Sequence, residues 1–145
     1  MTADAALFAE MFPLSGDDTE YTKISSDFVG TGTFNGQTIT TVEPQALSLI
    51  TKEAFRQISH LLRPAHLKQV ASILDDPEAS DNDKFVALDL LKNATIAADG
   101  VFPMCQDTGT AIIMGKKGAR VLSDGDDEAA LSEGARDAYL RRTLR

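Results

Sequence analysis

The chain has 145 residues, 43% of them hydrophobic and 25% charged, and a formal net charge of −8, which is the size and balance of one globular domain able to bury a core. The acidic surface excludes nucleic acid and anionic membranes as expected partners, and no apolar stretch is long enough to span a bilayer. A single cysteine excludes an internal disulfide framework and fits a reducing compartment.

The opening MTADAALFAEMFPL lacks the basic start and apolar core of a secretory signal, and it is too acidic for a mitochondrial presequence. Cytoplasmic location is therefore the default. Residues 1–19 read as an irregular arm ending in a Ser-Gly-Asp-Asp turn cluster, and residues 20–24 as a short strand. In FVGTGTFNGQTITTV, residues 28–42, threonines and apolar residues flank Asn35-Gly36, which predicts a β-hairpin. The glycines at 30 and 32 weaken the start of its first strand.

Pro44 opens a helix in which Leu47, Ile50, Ala54, Ile58 and Leu61 recur at helical spacing, predicting the core face. Pro64 ends that helix and starts a second, with Leu67, Val70, Ala71 and Leu74 on one side. Ser80 with Asp83 forms a capping box for a third helix, whose predicted core face is Phe85, Leu88, Leu91 and Thr95. Gly100 closes it as a C-terminal cap. Residues 110–114 read as a buried strand, and Gly115-Lys-Lys-Gly118 as the turn of a second hairpin returning through residues 119–122. A final helix begins near Asp126, with Ala130, Gly134 and Ala138 in a stripe where another backbone can approach. No repeat, linker or low-complexity tract interrupts this order, so the expectation is a single α+β domain. Arg145 falls inside a regular helical pattern, which reads as a chain that continues.

Cys105, in FPMCQDTGTAIIMG, draws the first functional question. From composition alone a lone cysteine is a small buried hydrophobe. Its setting differs: it follows a helix end and a proline and precedes a strand-like run, a loop held between packed elements. A thiolate there suits a soft metal or the iron of a cluster. Asp107 offers an acid, base or electrostatic orienter, and Gln106 an amide that donates and accepts; the plain alternative is that residues 107–109 are only a turn. His60 and His66 straddle the Pro64 break and lack the i, i+4 spacing of a ligand pair, so both read as ordinary helix-surface or capping residues. The GKKG run does not match a phosphate loop, because five residues separate Gly109 from Gly115 and no Ser or Thr follows the first lysine. Residues 124–128 are acidic but lack the spaced ligands of a calcium loop, and they fit a helix N-terminus.

The run LLRPAHLKQVASILDDPEASDNDKFVALDLLKNATIAADGVFPMCQDTGTAIIMGKKG resembles the N-terminal part of the class I, iron–sulfur-dependent fumarases. FPLSGDDTEY and SDGDDEAALSEGARDAY are similar to the same family, so the resemblance extends from Phe12 onward; CQDTGTAI followed by GKKG is its most specific piece. The resemblance implies reversible hydration of fumarate to L-malate on a 4Fe–4S cluster held by three cysteines, with an open iron acting as Lewis acid. It assigns one cluster ligand to Cys105 and substrate contacts to Gln106 and Asp107, with Asp107 also considered for proton transfer. It assigns a substrate carboxylate to Arg145, whose planar guanidinium forms two hydrogen bonds to such a group.

The same resemblance implies a homodimer at full length, with a small dicarboxylate as the only other partner, and places the remaining two cysteines and further substrate residues beyond residue 145. The chain then reads as residues 1–145 of an N-terminal domain whose C-terminal domain is absent, inactive by itself. Related L-tartrate or mesaconate hydro-lyases are the nearest alternatives. A non-catalytic module that binds a partner through the Ala130–Gly134–Ala138 stripe is the alternative of a different class.

Overall fold

A computed structural model of the chain describes residues 20–105 and 109–142; the expected arm, residues 1–19, lies outside them. Strands β1 (Val29–Phe34) and β2 (Gln37–Val42) pair antiparallel, with Phe34 opposite Gln37. Between them Asn35 and Gly36 take φ of 49° and 74°, the positive values that a tight hairpin turn matching the strand twist requires. Residues 20–24 join no sheet, and Tyr21 is 98% exposed.

Three helices follow. α1 (Pro44–His60) has proline in its first turn, as does α2 (Pro64–Ser72), which tightens into a 3-10 turn at Ile73–Asp75. α3 (Asp81–Ala98) starts with the predicted capping box. Ser80 Oγ accepts from the Asp83 amide at 3.2 Å, and Asp83 Oδ2 accepts from the Ser80 amide at 3.0 Å. The Ser80 hydroxyl, which donates to Asp83 Oδ2 at 2.7 Å, and then the Ser80 amide hold the Asp83 carboxyl below the usual carboxylate range. Beyond residue 109 come β3 (Val121–Ser123) and α4 (Asp127–Arg142). Asp126 Oδ1 accepts from the amides of Glu128 and Ala129, so the acidic run caps α4.

The α+β class holds, but the second hairpin does not form. β3 adds to the sheet parallel to β2, giving the order β1-β2-β3, with Thr40 opposite Val121. Residues 110–114 form no strand and are exposed, Ile112 to 76% and Met114 to 91%. β3 takes β2 as its described neighbour, and residues 110–114 pair with no described strand.

The core faces of α1 and α3 are also rotated from expectation. α1 lies most extensively against α4, through Ser48, Thr51 and Phe55, roughly a quarter turn from the stripe of Ile50 and Ile58. Ile50 and Ile58 are 53% and 67% exposed, and Leu61 is exposed too. On α3 the buried residues are Ala87, Ala94 and Ala97, roughly a third of a turn from Phe85, Leu88 and Thr95, which face solvent. The fully buried hydrophobic residues among those described are six alanines. Helices that approach closely need small side chains, so the large apolar groups lie outside the seams.

The small-residue stripe of α4 is the site of that approach. A Cβ added at Gly134 would lie 2.3 Å from the Ser48 carbonyl oxygen and 2.8 Å from Thr51 Cβ. Ser48 Oγ donates to the Ala130 carbonyl at 2.8 Å, and Phe55 meets Tyr139 at a centroid separation of 5.9 Å. The expected close partner is therefore α1 of the same chain.

Candidate active-site loop

The loop carrying Cys105 is built from the end of α3. Gly100, at φ 74°, follows the last helical turn and donates its amide to Ala97 O at 2.9 Å. The left-handed residue turns the chain back, and Val101 and Phe102 remain 65% and 68% exposed. Met104 then fastens the loop. Its amide donates to Ser59 O at 2.9 Å and its carbonyl accepts from Asn93 Nδ2 at 2.8 Å. Ser59 O is one of the carbonyls that α1 leaves unpaired at its C-terminal end, so the loop satisfies a group that the helix cannot.

Cys105 comes directly after this anchor, as an exposed free thiol. It is not the small buried hydrophobe that a packing role requires. Gln106, Asp107 and Arg145 lie outside the described residues. The structure thus places one of the four expected site residues and leaves the other three where the sequence put them. The expected anchor behind the loop, a strand over residues 110–114, is replaced by the two hydrogen bonds of Met104 in front of it. Asn93 and Ser59 were missed by sequence reasoning. The available signal was an asparagine inside a helix, a position its short amide disfavours unless it bonds elsewhere.

Neither histidine approaches the thiol through any described bond. His66 is exposed, whereas His60 is buried to 1% exposure, inside the fold and not on a helix surface as expected. His60 Nδ1 lies 2.7 Å from the Arg56 carbonyl; a carbonyl only accepts, so Nδ1 carries the proton. The GKKG segment does not wrap an anion. Lys117 Nζ donates to Ser123 Oγ at 2.8 Å and to Asp127 Oδ2 at 2.6 Å, pinning the segment to the first turn of α4. Chiefly through that Lys117 bond, Asp127 is held below the usual carboxylate range. Ile113, with Val42, Leu47, Val121 and Leu131, lines a cavity of about 340 Å³ beneath the segment.

The donor set decides how far the loop fits a metal. An exposed cysteine on a fastened backbone can present a thiolate to iron or another soft ion. Among the described residues no group of three His, Cys, Asp or Glu side chains could complete a site. The chain offers one thiol, which fits a share of an iron–sulfur centre and not the whole of it.

Comparison with known proteins agrees with the motifs. Residues 48–145 match the Fumarate hydratase (Fumerase) family. The chain is 55% identical over 139 residues to Fumarate hydratase class I, anaerobic, of Escherichia coli strain K12, covering 96% of this chain and 25% of that protein. It is 57% identical over 134 residues to the aerobic class I enzyme of the same strain, covering 92% and 24%. With Fumarate hydratase 1, mitochondrial, of Leishmania major it shares 47% identity over 137 residues, covering 91% and 24%. The chain spans about a quarter of the length of the curated relatives it matches. With a family match over 98 residues that includes the fastened cysteine loop, the chain belongs to the fumarate hydratase family.

Proposed function

We propose that this chain contributes the Cys105 loop to a class I fumarate hydratase, a hydro-lyase interconverting fumarate and L-malate. The observation that carries this reading is the position of Cys105: exposed, fastened through Met104, and inside a segment 55–57% identical to proteins named class I fumarate hydratase. We read residues 1–145 as its N-terminal domain. Every relative cited carries fumarate hydratase in its name, which favours fumarate over tartrate or mesaconate. The non-catalytic reading loses its proposed docking stripe, since α1 already occupies it.

In this proposal the Cys105 thiolate would be one of the ligands of a 4Fe–4S cluster. When bound, such a cluster supplies a Lewis-acidic iron that makes a hydroxyl a better leaving group. Hydration also needs a proton moved at the neighbouring carbon, and Asp107, two residues from the thiol, is the group assigned to it. The Gln106 amide orients the substrate by donating and accepting hydrogen bonds. The Arg145 guanidinium clamps one carboxylate of the dicarboxylate through its planar fork. The other ligands are not in this chain, which has one cysteine. A homodimeric assembly and a cytoplasmic location complete the proposal. No helix among the described residues is long and apolar enough to cross a membrane, and one relative is named as mitochondrial.

Co-expression with the remaining three quarters of the aerobic Escherichia coli relative, followed by anaerobic reconstitution, tests the reading. Cluster and fumarase activity are expected together, and Cys105→Ser is expected to abolish both. In this chain alone the same change should cost under about 0.5 kcal/mol, because the thiol is exposed. A cluster that survives Cys105→Ser would remove the ligand assignment, and a full cluster with turnover in this chain alone would overturn the need for a complement.

A further inference from the structure

Asn93 lies in the interior of α3, where its side chain leaves the helix to donate from Nδ2 to the Met104 carbonyl at 2.8 Å. The other polar group of Met104, its amide, donates to Ser59 O on α1 at 2.9 Å. Both backbone groups of one residue are therefore tied, each to a different helix, and the next residue is Cys105. Asn93 stands five residues before the end of α3 at Ala98, about 7.5 Å along the axis. The positive φ of Gly100 returns the chain along that distance, so the asparagine and the loop meet by construction. Residues 110–114 supply no ladder bonds behind the loop, and the thiol itself is exposed. The backbone of Met104, not packing of the cysteine, sets where the sulfur sits.

We infer that Asn93 is a positioning residue: with Ser59 it clamps the backbone of Met104 and thereby sets the direction in which Cys105 presents its thiolate. The purpose of the clamp rests on the ligand reading above; the clamp itself rests on two hydrogen bonds. Its chemistry is specific. The Met104 carbonyl needs a donor, which an amide supplies, whereas an isosteric carboxylate would put an acceptor against it. A side chain that merely filled space would not distinguish the two.

Amide hydrogen exchange on this chain reads the clamp without any metal, because the Met104 amide, bonded to Ser59 O, exchanges as often as the loop opens. Asn93→Asp at neutral pH is expected to speed exchange at the Met104 amide about fivefold to tenfold, after correction for intrinsic rates. Asn93→Ala should give a smaller increase and Asn93→Gln a partial rescue, while amides of α4 stay unchanged. As pH falls through the titration of the introduced carboxyl, near pH 4, that group becomes a donor and protection should return. If Asn93→Asp does not fold, the contrast of Ala with Gln carries the test. All variants within twofold of the parent at Met104, or no recovery at low pH, would overturn the clamp and leave the ligand reading standing. Faster exchange together with a cluster that survives Cys105→Ser would uphold the clamp and overturn the ligand reading.

Discussion

The seam between α1 and α4 and the segment of residues 110–118 are both places where the sequence promised burial. The seam is made of Ser48, Thr51, Ala130, Gly134 and Ala138, side chains with little apolar area. It nevertheless packs to the limit, with no room for one more carbon at Gly134. The segment carries Ile112, Ile113 and Met114, far more apolar surface, and leaves most of it exposed. Hydrophobicity supplies a tendency to be covered, but burial needs an opposing surface at the right distance. α4 offers α1 such a surface through its small residues. The segment is tied by Lys117 to the start of α4 and lies over the cavity under Ile113, yet its large apolar side chains stay in solvent. The loop that leads into Cys105 is likewise held on the packed side, through hydrogen bonds of Met104 to α1 and α3.

The strongest attempt to break this contrast is Gly134→Ala. The added methyl meets backbone of α1, which cannot rotate away, and overpacking of this kind costs about 3 kcal/mol. The helix propensity of alanine returns about 1 kcal/mol, so a net loss of about 2 kcal/mol is expected in urea unfolding. A stability equal to the parent would mean that the two helices separate at little cost and that the seam is not the core.

A smaller effect should come from the tether. With its folded titration lowered by Lys117, Asp127 contributes stability above its unfolded value, near pH 3.9, and loses it as pH falls through the lower folded value. Lys117→Met should therefore lower the urea midpoint at neutral pH, with the two proteins converging below about pH 3.9. A difference that persists unchanged at pH 3 would show that the lysine acts through its stem and not through the ion pair.

The smallest effect is expected where the apolar surface is largest. Ile112→Thr should change stability by under about 0.5 kcal/mol, because that side chain is 76% exposed. A loss of 2 kcal/mol or more by thermal unfolding would place Ile112 in a packed site and erase the contrast.

Local signals in the sequence determined a good deal of this protein. The Asn35-Gly36 turn, the prolines opening α1 and α2, the Ser80–Asp83 box, the Gly100 cap and the acidic start of α4 all act within a few residues. Each depends on backbone angles or on donors and acceptors that the neighbouring chain supplies, so reading them needs no fold. The CQD motif likewise drew attention to Cys105, which is exposed and directly follows the fastened Met104. Tertiary structure alone decided which helical stripe was buried, because a 3.6-residue period fits several stripes and only the partner helix selects one. It decided that β3 joins β2 in parallel and that residues 110–114 pair with nothing described, since a strand pattern does not specify its ladder. It also brought Asn93 and Ser59 to Met104, a meeting of α3, α1 and the loop that no spacing along the chain announces.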